Sequence, residues 1–111
     1  MPDKIDRILE QFILGISNLV GERLKKVILY GSYARGDYNQ NSDIDVMILT
    51  DFNDEELVEY RMKIRDLACE IEFEHDVVIS PIVRNIDKYN NRIKVVPFYI
   101  NVQKEGVVLH G

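Results

Sequence analysis

The chain has 111 residues, 46% of them hydrophobic and 30% charged, with a formal net charge of −5. That length supports one hydrophobic core and one domain, residues 1–111, and the acidic balance argues against a protein that grips a nucleic-acid backbone through a basic surface. A single cysteine, Cys69, excludes a disulfide within the chain and no apolar run reaches membrane-spanning length, so a cytoplasmic protein is expected, with no membrane partner and no direct nucleic-acid binding.

Residues 3 to about 24 predict one amphipathic helix. Ile5, Ile8, Leu9, Phe12, Ile13, Ile16, Leu19 and Val20 keep the three-four spacing, with Asp3 as a candidate cap and Gly21 as a break. Residues 27–30 form a short apolar run that stops at Gly31, the pattern of a buried strand meeting a turn. A short helix over 33–35, stopped by Gly36, and a polar loop over 37–42 come next, then a second strand over 44–50. Asn53 or Asp54 caps a helix from 55 to about 71 whose inner face carries Leu57, Ile64, Leu67, Ala68 and Ile71. A third strand is expected over 72–80, ended by Pro81, and a short helix near 85–92. Pro97 suits the first turn of a last helix running to Glu105, and 107–109 reads as a final short strand. Helix and strand alternate, which predicts an α/β (α+β) fold: one mixed β-sheet with helices packed on one side.

The turn and loop between the first two strands carry the chemistry. Gly31 lets the backbone turn and leaves room for a phosphate, while Ser32 adds a hydroxyl donor and suits a helix N-cap that would aim free N–H groups at an anion. Asp43 and Asp45 flank Ile44 where the second strand begins. Alternation places both carboxylates on one face, roughly 6.5 Å apart at Cα. From there their oxygens can converge on a pair of divalent ions about 3.5–4 Å apart, an arrangement suited to phosphoryl or nucleotidyl transfer. Alone, Gly-Ser is a turn and Asp-x-Asp a solvated strand start; their order within one strand–turn–loop–strand unit singles them out. Arg35 can neutralise phosphate or serve a surface ion pair, and Ser42 can touch a nucleotide or brace its own loop. Tyr33 and Tyr38 flank the motif, where either could stack on a base or serve packing alone. His75 and His110 make no metal-ligating pattern with Cys69.

Gly31-Ser32, ten intervening residues and Asp43-Ile44-Asp45 together resemble the signature of the DNA polymerase beta-like nucleotidyltransferases. The fuller form, Gly31-Ser32-Tyr33-Ala34-Arg35-Gly36 with a later Ser42-Asp43-Ile44-Asp45, is similar to that superfamily's minimal nucleotidyltransferase branch. The resemblance implies that Gly31 and Ser32 hold the β- and γ-phosphates of ATP, with Arg35 and Ser42 as further nucleotide-binding candidates. It implies that Asp43 and Asp45 bind two Mg2+ ions. Removing the acceptor's proton calls for a third carboxylate from an adjoining strand. Asp76, just ahead of Val77-Val78-Ile79, is favoured as that ligand and base, with Glu72 and Glu74 as competitors on the same expected strand.

The resemblance also implies a partner and a role. Minimal nucleotidyltransferases of this form pair, as antitoxins, with a helical HEPN-domain toxin and transfer AMP from ATP to one of its tyrosines. Two other readings stand beside it. One is a catalytically silent antitoxin that neutralises its partner by binding. The other is a small-molecule, antibiotic-type nucleotidyltransferase, an activity that ordinarily calls for an additional helical domain to hold the acceptor.

Overall fold

In the computed structural model, which describes residues 2–111, the first element is helix α1 (Asp3–Val20). It buries Ile5, Ile8, Leu9, Phe12, Ile16 and Val20, the stripe its sequence spacing predicts. Gly21, at φ +60°, ends the helix, and a single 3-10 turn over Gly21–Arg23 leads into β1 (Leu24–Tyr30). The helix therefore stops before residue 24, and the strand begins three residues sooner than its apolar run suggests, because Leu24 turns inward. A one-turn helix α2 (Ser32–Arg35) ends on Gly36 in the left-handed conformation, and β2 (Ile44–Thr50) follows the polar loop.

Helix α3 (Asp54–His75) opens with a capping box: the Asn53 side chain accepts from Glu56 N–H while the Glu56 carboxylate accepts from Asn53 N–H. It runs through residues 72–75, which the alternation Glu72-Phe73-Glu74-His75 assigns to a strand, and ends at Asp76 (φ 54°). The third strand is instead β3 (Ile79–Asn85), with Pro81 inside it. Edge position resolves the apparent conflict. Ile79 N–H donates to Glu72 Oε2 (2.8 Å), Arg65 donates to the Ile79 carbonyl (3.0 Å), and Arg61 donates to the Val83 carbonyl (3.1 Å). Residues 79, 81 and 83 thus present their backbone away from the sheet, so Pro81 breaks no ladder bond and the arginines close the edge to another chain.

Helices α4 (Ile86–Arg92) and α5 (Pro97–Glu105) and strand β4 (Val107–His110) complete the chain. The mixed sheet has the order β3-β2-β1-β4, with β2 and β3 parallel and the other pairs antiparallel. Val27, Leu29, Ile44, Val46 and Ile48 face α1 and α3 in the main core. The opposite face is not bare: Ile28, Tyr30, Met47 and Leu49 pack under Tyr89 of α4 and Val102 of α5, so two short helices add a second layer to the one-sided arrangement expected. Cys69 lies exposed on α3. Among the described residues no helix is long and apolar enough to cross a membrane.

Candidate active site

The site lies where β1 ends and β2 begins. Antiparallel register sets Tyr30 opposite Asp45, and parallel register sets Ser80 on the other flank, so one row of the sheet reads Tyr30–Asp45–Ser80. Gly31 leaves β1 at φ +75°, a conformation that favours glycine. A Cβ there would also collide with the Asp45 carboxylate, so no other residue fits this turn without displacing that group. The Gly31 turn and the Asp45 carboxylate are thus in direct contact. Gly31, rather than Ser32, is the N-cap of α2; Ser32 opens the helix and makes no capping bond.

Asp43 is exposed and Asp45 half-buried. Burial, then the neighbouring Asp43 charge, pushes the Asp45 carboxyl above its ordinary value, with Arg35 opposing and Glu105 adding to the rise. Burial and the Asp45 charge likewise push the Tyr30 phenol up to about 12, which keeps it neutral. Such a crowded acidic pair favours a bound cation. Magnesium commonly takes one or two protein carboxylates and completes its shell with water and substrate phosphates, which these two groups fit.

The third carboxylate does not join them. No group of three His, Cys, Asp or Glu is arranged to hold a metal among the described residues. The position beside Asp45 belongs to Ser80, whose hydroxyl points at Asp43 Oδ2 across a long 3.5 Å. Asp76, expected as a strand residue and metal ligand, instead caps α3 and lines a cleft of about 300 Å3 with Tyr33, Gln40, Asn41, Ser42 and Val77. Its competitors are placed elsewhere by the extra helical turn: Glu72 pairs with Arg65 and the β3 edge, and Glu74 takes a hydrogen bond from Gln11 (3.3 Å). A larger cavity, about 530 Å3, lies away from the carboxylates between α3 and β3, where Arg61 and Arg65 are committed to strand carbonyls.

Of the remaining candidates, Ser42 braces its loop, accepting from Asn39 N–H (2.9 Å) and donating its own N–H to the Asn39 carbonyl (3.1 Å). Tyr33 and Tyr38 stack on each other, ring centroids 4.7 Å apart. Arg35 pairs with Asp37 (3.2 Å) and, through Nη1, with both oxygens of Glu105 (3.2 and 3.1 Å). The Glu105 carboxylate also accepts from Gly31 N–H (3.1 Å). Glu105 is the site residue whose role the sequence conceals: it lies 74 positions from Gly31, in a closing stretch over 105–110 that resembles the family's ending but is far less specific than the central motif, and the packing of α5 against β1 brings it to the turn.

Residues 9–109 match the family described as the nucleotidyltransferase domain. Two Methanocaldococcus jannaschii proteins named as candidate protein adenylyltransferases are 34% and 36% identical to this chain. Their alignments cover 95% and 94% of it and 97% of each relative. Among solved structures, a toxin–antitoxin with AMP-PNP superposes with a TM-score of 0.55 at 21% identity, covering 92% of this chain and 73% of that one. A structure described as a minimal nucleotidyltransferase gives 0.53 at 19% identity, covering 96% and 95%.

Proposed function

The chain belongs to the nucleotidyltransferase domain family, and from that premise we propose that it transfers AMP from ATP to a tyrosine hydroxyl of a HEPN-type toxin, acting as its antitoxin. The observation that carries this reading is the contact between the Gly31 turn and the Asp45 carboxylate, which sets a turn whose sequence suits phosphate binding against an acidic pair. Gly31 and Ser32 bind the triphosphate, and Asp43 and Asp45 hold magnesium, which when bound neutralises phosphate charge. Asp76, lining the cleft next to Ser42, is the candidate for receiving the acceptor's proton. The acceptor oxygen then bonds to the α-phosphorus as the bond to pyrophosphate breaks. The relatives named as candidate protein adenylyltransferases support a protein acceptor, and the likeness to a toxin–antitoxin structure with AMP-PNP agrees with the partner class.

Mass spectrometry of the partner after incubation with this protein, ATP and magnesium should show an added adenylyl group. Asp43→Asn with Asp45→Asn should abolish it, and Asp76→Asn should lower the rate by about 10²-fold while nucleotide still binds. Ser80 standing where a third carboxylate was expected favours a second reading, an antitoxin that binds without modifying. An inhibited but unmodified partner would select it. Without complex or modification, a small-molecule acceptor becomes the better account.

A further inference from the structure

Two donors suited to a phosphate, Gly31 N–H and the Arg35 guanidinium, already converge on a single anion, the Glu105 carboxylate, at 3.1–3.2 Å. Glu105 is the last residue of α5, and the chain turns at Gly106 into β4, which pairs with β1. That turn is tightly packed: a Cβ on Gly106 would run into Ile28 and the Val102 carbonyl. The carboxylate is therefore delivered by a fixed piece of backbone, and charge-assisted hydrogen bonds of this kind are among the stronger ones a side chain makes. We infer that Glu105 is an affinity-determining residue of the nucleotide site: its carboxylate occupies the donors that would seat the triphosphate, and ATP must displace it to reach Gly31 and Arg35.

The inference rests on the proposed triphosphate site and adds a sign to it. A carboxylate that merely props the turn would help nucleotide bind; one that occupies the seat hinders it. Asp43 and Asp45 lie next to the same turn, so Glu105 also adds to the negative charge an incoming anion meets.

Calorimetric titration of ATP with magnesium into the wild-type protein and Glu105→Gln separates the outcomes. Displacement predicts that Glu105→Gln binds ATP and inorganic pyrophosphate at least about threefold more tightly, since the neutral amide holds Gly31 and Arg35 less strongly. Equal or weaker binding by the variant, with the wild type still binding, overturns the inference and leaves Glu105 as a prop. If neither protein binds ATP, the triphosphate site itself fails and takes the inference with it. Should the variant not fold, NMR of the wild type decides: the resonances of the two groups that hold Glu105, the Gly31 amide and Arg35 Nη1–H, must shift on adding ATP with magnesium, and unmoved resonances contradict displacement.

Discussion

Two arginine–carboxylate clusters stand at opposite ends of the β1–β2 ladder. At the Leu24–Thr50 end, Arg23 pairs with Asp51 and with Glu56 (2.9 and 3.0 Å) and lies over the Phe52 ring at 4.6 Å. At the Tyr30–Asp45 end, Arg35 pairs with Asp37 and Glu105. The chemistry is the same and the consequences differ. Every partner of Arg23 belongs to the fold: Glu56 completes the α3 capping box, and Phe52 is part of the main core. The partner of Arg35 also holds the amide of a glycine that touches an acidic pair. An ion pair thus acquires a functional meaning from its neighbours, not from its own geometry.

That contrast can be broken by mutating either end. Asn53→Ala removes half of the capping box and should lower stability by about 1 kcal/mol in chemical denaturation. It should leave the affinity for ATP unchanged; a loss of affinity would mean the two ends are coupled. A smaller effect sharpens the contrast through pH. Hydrogen bonds from Arg23 hold Asp51 and Glu56 below their ordinary values, so their stabilisation is present above the unfolded pKa and lost as pH falls through the folded one. Asp45 is raised, so its contribution is present below the unfolded pKa and lost as pH rises through the folded one. Asp45→Asn should therefore raise the melting temperature at pH 7, with the gain fading toward about pH 3, below the ordinary aspartate value. Arg23→Met should lower it at pH 7, with the deficit shrinking over the same range. Shifts of the same sign at pH 7 would contradict the assignment of one end to folding and the other to function.

The strands flanking the site were readable because an apolar run with an abrupt boundary, ending at Gly31 in one case and beginning at Asp43–Asp45 in the other, has few other solutions. The α1 stripe was readable for its period. The region from 72 to 85 was not. Glu72-Phe73-Glu74-His75 alternates as a half-buried strand does, yet Phe73 is 95% exposed and the helix continues, held by Ile71 in the core and by Glu72 reaching Arg65 and Ile79. Pro81 reads as a strand end unless one knows that β3 is an edge with residue 81 facing outward. Both errors have one source: the signals that decide them come from partners distant in sequence. They moved the expected third carboxylate off the strand and left Ser80 in the row with Asp45. Glu105 was hidden for the same reason.

If the Gly31 turn and the Asp43–Asp45 pair form one nucleotide site, loss of the carboxylates must weaken triphosphate binding. Calorimetry of ATP with magnesium on the wild-type protein and on Asp43→Asn/Asp45→Asn tests it most directly. Binding should strengthen with magnesium in the wild type and weaken at least about tenfold in the double variant, whose amides would hold a divalent ion poorly. Equal affinity in the two proteins, with the variant's fold intact, would contradict it.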